Sequence, residues 1–193
     1  MSNHQEIDRR ITRSKKALRE ALISLMQEKD LKSISITDIV QLADVNRGTF
    51  YKHYHYKEDI LAEIIEEVMT DLIASYREPY MNSTTFEVSE LEASAIKIFD
   101  HVNQYSSFYS LIVHSHALSN FQHRICHVLK ELALNDLFSH LPNPNVNRDL
   151  LASYHAYAIW GMIIEWVNGQ FKYSPSYMAE QLLEIIHQTK IND

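Results

Sequence analysis

The sequence predicts an all-α protein: an N-terminal three-helix helix-turn-helix domain followed by a larger helical C-terminal domain. Three observations carry this expectation. Turn-forming residues are scarce, with three glycines and four prolines in 193 residues, against an average glycine usage of roughly 7%. Sandwiches and barrels need both residues at their regular turns. Apolar residues recur at i, i+3, i+4 and i+7 along most of the chain. The breaks between those stripes are few and short.

The first stripe runs over residues 8–29, with Leu18, Ala21, Leu22, Leu25 and Met26 on one side and Arg9, Arg13, Lys16 and Glu20 on the other. A break at 30–35 follows. Ser35 or Thr37 can cap a short helix carrying Ile36, Ile39, Val40 and Ala43 on one face. Asp44, Val45 and Asn46 interrupt it, and Asn46 is suited to cap a second short helix over 47–54. Two short helices joined by a three-residue turn and braced by a longer one make a helix-turn-helix. A long amphipathic helix is expected over 57–76, with Ile60, Leu61, Ile64, Ile65, Val68 and Leu72 inward. Pro79 and the polar run 82–85 form a linker. Further helices are expected at about 86–103, 106–113, 118–140 and 147–168. The last helix has Pro175 at its first position, Ser174 as its cap, and Met178, Leu182, Ile185 and Ile186 on one face. The domain division falls at 56/57, giving 1–56 and 57–193.

Composition excludes several function classes. Gly48, Gly161 and Gly169 lack the spacing of a Walker loop or a dinucleotide fingerprint. A single cysteine cannot close an internal disulfide and fits a reducing compartment. The longest apolar stretch, 156–164, is too short to span a bilayer. A cytoplasmic protein without a membrane partner is expected. The net charge of −7 is unevenly distributed: residues 1–58 carry 11 Lys/Arg against 8 Asp/Glu, and the rest carry 7 against 17. A basic head on an acidic body suits a module that meets a polyanion.

The run Ile36-Thr37-Asp38-Ile39-Val40-Gln41-Leu42-Ala43-Asp44-Val45-Asn46-Arg47-Gly48-Thr49-Phe50-Tyr51-Lys52-His53-Tyr54, with Lys57-Glu58-Asp59-Ile60-Leu61 after it, resembles the N-terminal domain of the TetR family of bacterial transcriptional regulators. The match covers roughly residues 8–65. It implies a recognition helix that enters the DNA major groove and a dimer that binds a palindromic operator. Two positions depart from the family pattern. Asp44 stands where the turn commonly has glycine, and Tyr56 stands where a small capping residue commonly precedes Lys57.

The residues themselves suit that role. Arg47 and Thr49 would project from the first turn of the recognition helix, where base edges are met, with Asn46 beside them among the DNA-binding residues, and arginine can contact guanine through two hydrogen bonds. Gly48 would let the helix backbone approach the groove. Tyr51, Lys52 and His53 suit phosphate contacts, which set register. Thr37 and Lys57 would hold phosphates at the starts of the second and fourth helices. Phe50 and Ile39 read as core, with Tyr54 bridging core and DNA backbone. Arg13, Lys15 and Lys16 are open to two readings, a solvated face or further phosphate contacts.

In the C-terminal part, residues 154–166 and 174–178 resemble the two terminal helices through which family members dimerise. Ser14-Lys15-Lys16-Ala17-Leu18 and Phe108-Tyr109 resemble the branch that includes the dihydroxyacetone kinase operon activator. A pocket between these helices would be lined by Phe99, Phe108, Tyr109, Ile112, Phe121, Ile125 and Trp160, residues equally suited to plain core. His123 and His127 lie four apart beside Cys126 but lack a third ligand, so neither metal nor other cofactor is expected. No nucleophile–base pair is identifiable, and no enzyme is expected. The expected function is a dimeric, sequence-specific DNA-binding regulator, a repressor released by a small-molecule effector. The alternative is a regulator acting through a protein partner, as coactivator or corepressor, without a small ligand.

Overall fold

The computed structural model describes residues 2–78, 93, 96–115, 118–137 and 145–190. Among these it contains nine α-helices and no strand. They are α1 (Ser2–Glu28), α2 (Ile36–Leu42), α3 (Arg47–His53), α4 (Lys57–Arg77), α5 (Ile98–Gln104), α6 (Ser106–His114), α7 (Ser119–Leu132), α8 (Arg148–Asn168) and α9 (Pro175–Lys190). A 3-10 turn, Leu31–Ser33, sits between α1 and α2, and a π-helical turn, Ala133–Leu137, extends α7. The all-α fold is the one the turn-poor sequence predicts.

Two compact units form. One takes in residues up to Val68 and a short stretch from His114; the other takes in the remainder, so the division falls inside α4, between Val68 and Met69. In the first unit, α1 packs on α2 and α3. Its apolar stripe is buried through Leu18, Ala21, Leu22 and Met26, and Ile34, Ile39, Val40, Phe50 and Ile60 are buried in the same unit. Leu25 of the same stripe is half-buried, and Arg9, Arg13, Lys16 and Glu20 face solvent as the helical period requires.

In the second unit, α7 packs on α8 and α5 on α9. The expected helix over 86–103 is described as helix only from Ile98; residues 86–92, 94 and 95 lie outside the described residues. The expected helix over 118–140 is α-helical to Leu132 and then widens into the π-turn, and 138–140 lie outside the described residues. Asn147 caps α8 by accepting the amides of Asp149 and Leu150 at 3.0 and 3.1 Å, and Ser174 caps α9 through the Tyr177 amide at 3.2 Å.

The apolar face of α9 differs from its expected course. Met178, Ala179 and Leu183 are buried, Leu182 and Ile186 are half-buried, and Ile185 is exposed. The α8 helix likewise exposes Leu150, Tyr154 and Tyr157. Among the described residues, a Cβ at Gly161 would meet no atom within 4 Å beyond its own helix turn. Gly169 is the C-cap of α8 at φ −79. The left-handed residues of that turn are Gln170 and Phe171, both at φ 55.

Candidate nucleic-acid interface

The helix-turn-helix is assembled from local hydrogen bonds that satisfy its helix ends. At the start of α2, the Asp38 amide donates to Ser35 Oγ at 3.1 Å and the Ser35 amide donates to Asp38 Oδ2 at 2.9 Å. This is a capping box, so of the two candidate caps it is Ser35 that serves; Thr37 lies exposed in the first turn. Lys29 Nζ donates to the same Asp38 oxygen at 2.9 Å and ties the end of α1 to the start of α2. The Ser35 amide, then the Lys29 ammonium, hold the Asp38 carboxyl down at about 2.

At the end of α2, the Val45 amide donates to the Val40 carbonyl at 3.0 Å and the Asp44 amide to the Gln41 carbonyl at 3.2 Å. Asp44 stands at φ 50. This is a Schellman ending. The residue that replaces glycine does adopt the left-handed conformation, which Asp tolerates better than most.

Asn46 then caps α3. Its Oδ1 accepts the Thr49 amide at 2.8 Å and the Thr49 hydroxyl at 3.1 Å. Phe50 is fully buried under α3, with the rings of Tyr51 and Tyr54 5.3 and 6.0 Å from its own. That anchoring turns Arg47, Gly48, Tyr51 and Lys52 outward, all exposed, with Thr49 and His53 half-buried. A Cβ at Gly48 would lie 3.2 Å from Asn46 Oδ1 and crowd the cap.

Two residues assigned DNA contacts from sequence also have partners inside the chain. Lys57 Nζ donates to the carbonyls of Leu31 and Ile34 at 2.7 Å each and to Lys32 at 3.4 Å. Its ammonium therefore fastens the start of α4 to the 3-10 turn. Tyr54 is only 4% exposed. Burial, then the Glu63 carboxylate, push its phenol above the ordinary range, and its ring has Lys15 Nζ 5.5 Å from the centroid.

Lys15 itself pairs with Glu63 at 2.6 Å. Arg19 pairs with Glu63 at 3.3 Å and also with Glu67, so one face of α1 braces α4 with charge. Of the three cations open to two readings, Lys15 belongs to that brace. Lys16 lies 3.8 Å from Glu20 on the solvent side, and Arg13 is exposed. The cap that Tyr56 lacks is supplied from behind: Asp59 Oδ2 accepts the amides of both His55 and Tyr56 at 2.8 Å.

The second unit places the seven expected pocket residues in its core. Phe99, Phe108, Tyr109, Ile112, Ile125 and Trp160 are buried and Phe121 is half-buried. They pack on aromatic neighbours: Tyr109 on Trp160 at 6.3 Å between centroids, Phe108 on Phe121 at 6.4 Å, and Phe99 on Trp166 at 5.9 Å. Within this core lies a polar relay that sequence reasoning missed. His101, 2% exposed, has Nδ1 2.6 Å from Asp71 Oδ2 and Nε2 2.8 Å from the Tyr109 hydroxyl. Burial holds the imidazole below its ordinary value against the opposing pull of Asp71. A neutral ring that donates from Nδ1 to Asp71 and accepts at Nε2 from Tyr109 satisfies all three groups. Its only sequence signal is a histidine inside the apolar stripe Ile98, Val102 and Tyr109.

His123 and His127 are both exposed on α7, whereas Cys126 is buried and its thiol pushed up to about 11 by burial. Among the described residues no three His, Cys, Asp or Glu side chains are placed to hold a metal, and no helix is long and apolar enough to cross a membrane.

Known proteins share this arrangement. Residues 13–64 match the profile of bacterial regulatory proteins of the tetR family, and residues 89–188 match a transcriptional regulator C-terminal region. The uncharacterized HTH-type transcriptional regulator YxbF of Bacillus subtilis (strain 168) is 22% identical over 176 residues, which is 90% of this chain and 44% of that protein. The HTH-type dhaKLM operon transcriptional activator DhaS of Lactococcus lactis subsp. lactis (strain IL1403) is 35% identical over 60 residues, 31% of this chain and 32% of that protein. The matches thus span less than half the length of these curated relatives. A TetR-family regulator structure from Syntrophomonas wolfei str. Goettingen superposes with a TM-score of 0.65 at 20% identity, covering 89% of this chain and 92% of that one. The structure of the dihydroxyacetone kinase operon activator DhaS gives 0.60 at 23%, covering 92% and 97%. With a capped helix-turn-helix at one end and a matched regulatory region over more than half of its length, the chain belongs to the TetR family.

Proposed function

We propose that the protein is a sequence-specific DNA-binding transcriptional regulator that acts as a dimer on a palindromic operator, with residues 1–56 reading DNA and 57–193 regulating and dimerising. The observation that carries this reading is α3. Its cap is closed by Asn46 and its underside anchored by Phe50, and it presents Arg47, Gly48, Tyr51 and Lys52 together on its exposed side. Arg47 is assigned to base edges, and Tyr51, Lys52 and His53 to phosphates. Thr37 is an exposed phosphate contact, while Lys57 and Tyr54 support the module from within. The exposed side chains of α8 and α9, among them Tyr154, Tyr157 and Ile185, support dimerisation through those two helices.

Regulation is proposed as repression relieved by a small molecule that inserts among Phe99, Phe108, Tyr109, Ile112, Phe121, Ile125 and Trp160. Release requires that the ligand favour a conformation whose recognition helices no longer match the half-site spacing. A second reading, regulation through a protein partner, is favoured by the close aromatic packing of those same residues.

The test is selection of a duplex from a random pool by the full-length protein, followed by titration at several salt concentrations. Affinity for the selected duplex should fall steeply with salt, and Arg47→Ala should erase the preference for it over random DNA. Equal losses on both duplexes would remove Arg47 from base reading.

A further inference from the structure

The hydrogen bonds inside the α3 cap determine which polar atoms are left over to meet DNA. Asn46 is exposed, and its carboxamide oxygen already accepts two hydrogen bonds, one from the Thr49 amide and one from the Thr49 hydroxyl. The orientation of the carboxamide follows from chemistry. The Thr49 amide is a donor, so the atom 2.8 Å from it must be oxygen and not nitrogen. A carbonyl oxygen has two lone pairs, and both are engaged. What remains of Asn46 is its Nδ2 group, with donors only. The neighbouring Arg47 guanidinium also has donors and no acceptor. Gly48 adds no side chain between them and Thr49.

Asparagine reads adenine in the major groove by accepting from the N6 amino group while donating to N7. That pairing needs the oxygen that the cap has consumed. We propose that Asn46 faces DNA as a hydrogen-bond donor only, so that with Arg47 it forms a donor-only edge at the start of the recognition helix. Such an edge is complementary to acceptors, which on DNA are purine N7, guanine O6 or a phosphate oxygen. It is not complementary to the adenine N6 amino group. The inference rests on the reading of α3 as a recognition helix and goes beyond it by assigning the polarity of the contact.

Two variants separate cap from contact, since Asp and Ser are as good N-caps as Asn. Asn46→Asp keeps an acceptor for Thr49 but replaces the donor with a second, charged acceptor. Asn46→Ser keeps a cap without an amide. Both should unfold within a few degrees of the parent protein. On the duplex selected by the parent, Asn46→Ser should bind about 3- to 10-fold more weakly, the loss of one hydrogen bond. Asn46→Asp should bind more weakly still, because its carboxylate faces the polyanion. Scanning the duplex with base analogues (7-deazapurines, and 2-aminopurine for guanine, which lacks O6) and, separately, with methylphosphonates should reveal one position that weakens the parent protein but not Asn46→Ser. A 7-deazapurine position identifies a purine N7, and a 2-aminopurine position a guanine O6; a methylphosphonate position identifies a phosphate.

The proposal is overturned if replacing an adenine by purine riboside, which lacks the N6 amino group, weakens the parent and not Asn46→Ser. It is also overturned if Asn46→Asp binds as tightly as the parent, or if neither scan reveals such a position. Failure of the parent to retain any duplex would instead overturn the reading of α3 itself.

Discussion

Lys57 Nζ donates to the Ile34 carbonyl at 2.7 Å across 23 positions of sequence. The same ammonium holds the Leu31 carbonyl, so one cation ends the 3-10 turn, steadies the entry into α2 and starts α4. Hydrogen bonds from charged donors contribute about 1.5–3 kcal/mol. Lys57→Met should therefore destabilise the protein by roughly that amount in urea titration. Its effect on DNA should be uniform across sequences and leave the salt slope of binding unchanged. A stable Lys57→Met protein whose salt slope drops by about one would return Lys57 to the phosphate contacts.

Acid should loosen the start of α2. Asp38 titrates at about 2 in the folded chain against an ordinary 3.8, because the Ser35 amide and the Lys29 ammonium favour its charged form. The stabilisation it provides is complete above 3.8 and is lost as pH falls from there through about 2. Asp38→Asn should flatten the pH dependence of stability in that window. Ser35→Ala, which removes the other half of the box, should cost about 1 kcal/mol at neutral pH. Thermal unfolding followed by far-UV circular dichroism, with both variants compared at pH 7 and pH 3, measures each effect.

The His101 relay has the opposite chemical sense to a salt bridge. Burial keeps the folded imidazole neutral below its ordinary value of 6.5. The unfolded chain therefore binds a proton first as pH falls, and stability is lost below 6.5. Unfolding measured from pH 8 to 5 should show that loss, and His101→Asn should reduce its steepness. Tyr109→Phe leaves the buried Nε2 without its donor and should cost about 1–3 kcal/mol at pH 7. An unchanged midpoint for Tyr109→Phe would mean that the ring contacts, not the relay, hold α5 to α6.

Gly161 offers a clean test of the proposed dimer. Among the described residues, a Cβ there meets nothing within 4 Å beyond its own helix turn. Gly161→Trp should fold with unchanged helical content and yet lose the dimer in sedimentation velocity. A folded Gly161→Trp protein that remains dimeric would move the interface away from the centre of α8.

What could be read from sequence follows the range of each interaction. The stripe Leu18, Ala21, Leu22 and Met26, the cap at Asn46, the left-handed Asp44 and the cap at Ser174 involve partners a few residues apart. Helical period and capping chemistry express them directly. The exposed side of α3 was legible for the same reason, since Phe50 inward turns Tyr51 and Lys52 outward.

Other features depended on segments meeting in space. A lysine at the start of α4 looks the same in sequence whether it faces phosphate or the carbonyls of a turn folded back against it. His101 gains its role from Asp71, 30 positions away, and Lys15 from Glu63. Sequence by itself determined the helices, their caps, the helix-turn-helix and its outward residues, because these rest on local periodicity and hydrogen bonding. Tertiary structure decided which charges became internal braces and which aromatics closed into core. Those outcomes depend on the partner that each group meets once the chain has folded.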